Sequence, residues 1–308
     1  MTLLFTHPSA SDHVTPGGHP EQVARYRAVI EALADLPLTR RDAPLADDAQ
    51  VLRCHPADYL ARIRAAVPAQ GLAMLDADTH LSPGSLTAAL HGVGGACAAV
   101  DAVLSGDART AFVAMRPPGH HAETDTAMGF CLFGNTAIAA KYALDHHGLE
   151  RVAVLDFDVH HGNGTQDLLW TESRVFFAST HQMPLYPGSG ATDERGAHGQ
   201  IVNWPLRPGS DGGDAWAAWS AILTRCREFS PQLVIISAGF DAHTDDPLAE
   251  LNWTDGDFAA ITRAICEMAA QCGAPVVSCL EGGYDLAALG RSCRAHVQEL
   301  IGADRDRD

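Results

Sequence analysis

Residues 151–164 read RVAVLDFDVHHGNG. The stretch opens on an unbroken apolar run, Val152 to Leu155, and closes on carboxylates, histidines and glycines. A strand with one face in water alternates apolar and polar side chains, so an unbroken run signals burial on both faces. The runs LLFTH, TAFVAMRPPGHH, RVFFASTH, QIVNWPL, LVIISAGFD and PVVSCLEGGYD are β-rich in the same way. Between several of them lie helical patterns, over Gly84–Leu104, Phe133–His146, Gly213–Glu228, Asp255–Gln271 and Leu286–Leu300. Such alternation predicts an α/β fold with a central parallel β-sheet flanked by helices. No linker, repeat or shift in composition divides the chain, so residues 1–308 are expected to form a single domain.

Composition narrows the function. Hydrophobic residues make up 46% of the chain and charged residues only 19%, which supports a large core and argues against disorder. The formal net charge of −17 argues against nucleic acid as the partner, because phosphate binding needs clustered Lys and Arg. It tolerates cationic partners such as lysine-rich tails or polyamines. No membrane association is expected either. The N-terminus lacks a basic region followed by a long apolar core. The most apolar stretch, Leu86 to Leu104, contains His91, Asp101 and three glycines and reads as a buried helix. The eight cysteines form no CxxC, and Cys97, Cys266 and Cys279 sit in apolar runs. They read as buried free thiols of a reducing, cytoplasmic compartment. Self-association into a homo-oligomer is left open.

The polar clusters follow the apolar runs almost without exception. PPGHH, DFDVHHGNG, GFDAH and EGGYD should therefore open onto one crevice at the carboxyl ends of the strands. On an extended chain Asp156, Asp158 and His160 share a face. Asp158 and His160 are a natural pair of metal ligands, and Asp241 ends another buried strand. Two carboxylates and one imidazole with an open position suit a catalytic zinc or similar divalent ion. Such a centre needs a base and an acid. His120 and His121 fit that need, because Pro117-Pro118-Gly119 takes them out of regular structure. Asp156 is the partner expected for one ring and Asn163 for the other, which would leave the two unequal in basicity. Tyr284, after two glycines, can donate a hydrogen bond to a developing oxyanion.

The motifs RPPGHHA, GFCLF, DFDVHHGNGTQ, YPGSG, SAGFDAH and LEGGYDL, in this order from Arg116 to Leu286, resemble those of the histone deacetylase superfamily. Looser agreement begins near GGHPEQ, and the HHGNGTQ form is most similar to class II and bacterial members. The resemblance implies the arginase/deacetylase fold and a zinc-dependent amidohydrolase that removes acetyl or other acyl groups from acyl-lysine. Zinc would be held by Asp158, His160 and Asp241. His121 would be general base and then acid, His120 with Asp156 would stabilise charge, and Tyr284 would polarise the carbonyl. Gly129, Phe130 and Tyr186 would line the tunnel for the acyl-lysine stem, and Asp78 would meet the substrate backbone at the rim. A potassium ion would be held near Asp156, Asp158, His160, Ser179 and Thr180. Leu248 stands where relatives specialised for acetylpolyamines can carry glutamate, which favours acyl-lysine over a polyamine or other small acyl-amine.

Two other readings compete. A two-metal manganese hydrolase of the arginase type could recruit His243 and Asp245, but the D-x-D continuation is missing, since Ala242 and His243 follow Asp241. A non-catalytic acyl-binding module should have lost a ligand, a histidine or the tyrosine, and all are present.

Overall fold

In a computed structural model the chain is described over residues 1–305. Ten strands are seen: β1 (Thr2–Thr6), β2 (Leu38–Asp42), β3 (Ala73–Met74), β4 (His80–Leu81), β5 (Thr110–Val113), β6 (Val152–Asp156), β7 (Val175–Gln182), β8 (Ile201–Leu206), β9 (Leu233–Ala238) and β10 (Val276–Leu280). The helices are α1 (Val23–Ala32), α2 (Asp48–Val51), α3 (Ala57–Ala66), α4 (Ser85–Leu104), α5 (Asn135–Asp145), α6 (Asn163–Leu169), α7 (Gly212–Phe229), α8 (Asp255–Gln271) and α9 (Leu286–Arg305). Eight strands form one sheet in the order β2-β1-β5-β10-β9-β6-β7-β8, and every neighbouring pair in it is parallel. β3 and β4 form a separate antiparallel pair.

The absence of alternation in the strands has a direct cause. Val152 and Val154 pack on one side of β6 into a core with Ala96 and Val100 of α4 and Ile138 of α5. Ala153 and Leu155 pack on the other side with Trp219 of α7, Phe258 of α8 and Val297 of α9. Both faces of the sheet are covered, so both sets of positions must be apolar. Helix α4 is long and apolar enough to cross a membrane, yet 78% of its apolar 18-residue window is buried inside the protein. The cysteines are all free, and seven of the eight are buried.

The edge strand β2, LTRRD, carries no apolar run because its residues are half-buried or exposed. It escaped the sequence reading for that reason, as did the two-residue strands β3 and β4. The five helices expected from periodicity are present, with ends shifted by a few residues.

The sheet has a topological switch. From β6 the chain continues to β7 and β8 on one side, then returns to form β9 and β10 on the other. β6 and β9 are neighbours, with Asp156 level with Ser237. Loops leaving adjacent strands in opposite directions open a crevice at their carboxyl ends. β10 lies between β9 and β5, so the loops after β5, β6, β9 and β10 all reach that crevice.

Candidate active site

β6 ends at Asp156, and residues 157–162 leave the sheet in bends. The alternation predicted for an extended chain survives the bend. Phe157 and Val159 stay in the apolar core, while Asp158 and His160 turn to the crevice. His160 Nδ1 lies 3.2 Å from Asp158 Oδ1 and 3.1 Å from Asp241 Oδ2. The three donors are buried and within 4.8 Å of one another. Backbone N–H groups hold the carboxylates: Gly282 donates to Asp158 at 2.8 Å and Val159 to Asp241 at 2.9 Å. A Cβ at Gly282 would stand 2.2 Å from Asp241 Oδ2 and 2.6 Å from Asp158 Oδ2, so only glycine leaves room for the two carboxylates there.

Two buried carboxylates facing one imidazole call for a positive charge. Burial opposes charging His160, but its hydrogen bonds to Asp158 and Asp241 outweigh this and push its pKa up to about 10. Burial also works against the Asp158 charge, yet His120 and His160 hold its carboxyl below the usual range. Asp241 is shifted upward, by burial and then by the charge of Asp158. A divalent ion would replace the proton on His160 and relieve both carboxylates. The donor set of two carboxylate oxygens and one imidazole nitrogen fits zinc or a similar ion. His243 and Asp245 do not join the trio: His243 Nδ1 accepts the Asp245 N–H at 3.0 Å, and its Nε2 faces Asp255 at 3.3 Å.

The tandem histidines hang on a buried carboxylate that sequence reasoning did not single out. Glu281 Oε2 accepts the N–H of Gly119 at 2.7 Å and of His120 at 3.2 Å. The two imidazole rings lie 4.0 Å apart, tilted by 42°. His120 Nδ1 meets Asp156 Oδ2 at 3.0 Å, and His121 Nδ1 meets Asn163 Oδ1 at 2.7 Å. The amide of Asn163 donates through Nδ2 to Glu123 Oε1 at 2.8 Å, which turns its oxygen toward His121. His121 therefore donates from Nδ1 and keeps Nε2 as an acceptor. The pKa shifts of the rings run in opposite directions. Burial opposes the His120 charge, but Asp158 and Asp156 outweigh it and raise the pKa well above 6.5. Burial, with the charges of His120 and His160, lowers that of His121 well below 6.5.

A cavity of about 250 Å³ reaches this centre, lined by His121, His160, Tyr284 and the expected Asp78, Gly129, Phe130, Tyr186 and Leu248. Leu185 also lines it, and nothing in its sequence context had distinguished it. Tyr186 is 38% exposed while Tyr284 is 8% exposed, which sets the first at the mouth and the second inside. Phe130 has a left-handed backbone, φ 69°, after Gly129 at φ 54°. Such a conformation is costly outside glycine and persists where surrounding contacts impose it. Here the Phe130 N–H donates to Thr79 Oγ1 at 3.1 Å, and the Thr79 hydroxyl donates to Asp78 at 2.9 Å, so the β3–β4 turn braces the wall. On β7, Ser179 sits level with Asp156 and its Oγ lies 3.0 Å from His181 Nδ1, while Thr180 Oγ1 is buried with no hydrogen-bond partner. An orphaned buried oxygen beside these strand ends fits a cation better than an apolar filling.

The sequence profile of the histone deacetylase domain matches residues 19–300. An uncharacterized protein of Synechocystis is 43% identical over 297 residues, covering 94% of this chain and 96% of that protein. A histone deacetylase-like amidohydrolase of Pseudomonas aeruginosa is 41% identical over 303 residues, covering 96% of this chain and 78% of that protein. Among solved structures, the HD domain of HDA15 matches with a TM-score of 0.92 at 30% sequence identity, covering 97% of this chain and 91% of that one.

Proposed function

The chain belongs to the histone deacetylase family, with its arginase/deacetylase α/β fold, and from that premise we propose that it is a zinc-dependent amidohydrolase acting on acyl-lysine. Family membership and the buried Asp158–His160–Asp241 trio make it a hydrolase of deacetylase type. The observation that carries the finer reading is the cavity. It begins at Tyr186, runs between Phe130, Leu185 and Leu248, and reaches His121, His160 and Tyr284. A largely apolar passage suits a neutral aliphatic stem, with polar groups at the buried end, where an amide would sit, and Asp78 at the rim.

A zinc ion held by Asp158, His160 and Asp241 would supply Lewis-acid polarisation of the acyl carbonyl and acidify water. The chain's own groups then have distinct tasks. His121 Nε2, unprotonated, takes a proton from the attacking water and later gives it to the leaving amine. A C–O bond forms, the C–N bond breaks, and a carboxylate and a free amine result. His120, kept charged by Asp156, adds positive field beside the reacting carbonyl. The Tyr284 hydroxyl donates to the carbonyl oxygen as its charge grows. Asp78 at the rim accepts from the substrate backbone.

The test is a kcat/KM comparison across acetyl-lysine peptides, acetylpolyamines and longer acyl-lysines, with and without chelator. Acyl-lysine peptides should lead, and a chelator should abolish turnover until zinc returns. Preference for acetylpolyamines would overturn the lysine reading, and no hydrolysis of any acyl-amide by zinc-loaded protein would overturn the enzyme. A potassium ion would be held by Ser179, Thr180 and the backbone of Asp156, Asp158 and His160. Potassium chloride should then raise the melting temperature above that in an equal concentration of choline chloride; equal values would remove the ion from the account.

A further inference from the structure

Asp246, in the loop between β9 and α8, is a buried carboxylate to which the reaction above gives no task. Burial, and then the charge of Asp241, pushes its pKa up to about 7. Its two oxygens are divided between two parts of the cavity wall. Oδ2 accepts the N–H of Tyr284 at 2.7 Å and of Asp285 at 3.3 Å. Oδ1 accepts the N–H of Leu248 at 3.0 Å. Tyr284 and Leu248 both line the cavity.

The segment that carries Tyr284 needs a clamp. It follows Gly282 and Gly283, and Gly283 has φ 120°, a conformation that side-chain-bearing residues rarely adopt. Two glycines in succession leave the next residue free to swing unless something holds its main chain. Arg25 holds one end of the peptide that joins Gly283 to Tyr284, donating to its carbonyl at 2.6 Å. Asp246 holds the other end of the same peptide, the Tyr284 N–H. On the other side, Asp285 accepts the Ala288 N–H at 2.8 Å in the first turn of α9. A negative charge at this helix start is favoured by the unsatisfied N–H groups there.

We propose that Asp246 is a positioning residue that fixes the aim of the Tyr284 hydroxyl and ties it to the cavity wall at Leu248. The inference rests on the reading of Tyr284 as donor to the carbonyl oxygen. Through one carboxylate, a substrate that displaces Leu248 also moves the peptide of Tyr284. Asp246 is thereby a determinant of which stems are turned over, and it touches neither substrate nor ion.

A double-mutant cycle with Tyr284→Phe tests this. Tyr284→Phe alone should slow kcat by about 10²-fold, as expected for loss of an oxyanion donor. Asp246→Asn keeps the shape but turns an N–H₂ toward N–H donors, and should lower kcat by about ten- to a hundredfold through misplacement of the hydroxyl. Metal content should not change. In the Tyr284→Phe background the same substitution should cost less than about twofold, because the group it positions is gone. An equal loss in both backgrounds would show a general structural role and overturn the proposal. Should Asp246→Asn fail to fold, Asp246→Ser, whose hydroxyl still accepts one N–H, goes through the same cycle with the same two outcomes. Full activity of Tyr284→Phe alone would overturn the reading of Tyr284 and this proposal with it. A slow Tyr284→Phe with additive losses would overturn the role of Asp246 only.

Discussion

Asp158→Ala is expected to lose bound zinc and to lower kcat/KM by on the order of 10³-fold or more, since a catalytic ion contributes several kcal/mol to the barrier. The residue does three things at once. Its Oδ1 faces His160, its Oδ2 takes the Gly282 N–H, and its charge faces His120 across 3.7 Å. Removing it would strip the trio of a ligand and leave Asp156, 3.0 Å away, as the carboxylate still paired with His120. Because alanine also frees the Gly282 peptide, Asp158→Asn is the cleaner variant. It keeps the shape, and it should still lose most of the ion. Metal analysis and kcat/KM on the same preparation check both. The analysis must follow the equivalent lost on substitution, because Asp101, His146 and His147 form a second trio able to hold an ion near the surface. Full metal content and activity in Asp158→Asn would remove Asp158 from the centre.

His121→Ala is expected to slow turnover by roughly 10³-fold while zinc stays bound, which is within the range for loss of a positioned acid–base group. The pH profile carries the sharper test. The proton acceptor must be neutral, and burial together with the charges of His120 and His160 lowers the His121 pKa well below 6.5. As pH falls, His121 should therefore remain competent through the ordinary histidine range. The acid limb of kcat/KM should appear below pH 6.5. His120 moves the opposite way, held charged by Asp158 and Asp156 against burial, so it should not produce that limb. A limb above pH 6.5 that vanishes in His121→Ala would contradict the assignment of a depressed base.

Much of the fold is legible because burial on both faces leaves a mark on every central strand. VAVLD and LVIISA can be read without knowing their neighbours, since each position must be apolar whichever way it points. Strand β2 could not be read this way: it borders solvent, and LTRRD looks like a loop. The ligand trio is legible for a related reason, because charged residues at the end of a buried strand have few tasks other than chemistry. Asp246, Glu281 and Leu185 were not legible. What each does is set by a partner far along the chain, such as the Tyr284 peptide for Asp246 and the Gly119 peptide for Glu281. The pairing of His121 with Asn163 could be proposed from residue chemistry. The orientation of that amide depends on Glu123, which follows RPPGHHA directly but lies 40 residues from Asn163 along the chain.

The position of β10 has a consequence for how the molecule is built. In the sheet β2-β1-β5 and β9-β6-β7-β8 are joined only through β10, the last strand among the described residues. Without Val276–Leu280 the sheet would fall into two parts, each with a bare edge, at β5 and at β9. One half carries the tandem histidines, the other carries Asp158, His160 and Asp241. Strand pairing of this range is slow to form and exposes edges prone to aggregation meanwhile. β10 closes both edges, sets the separation between the tandem histidines and the carboxylates, and carries the Gly282 peptide and Tyr284 just beyond its end. The strand that completes the sheet is thus also the one that completes the crevice.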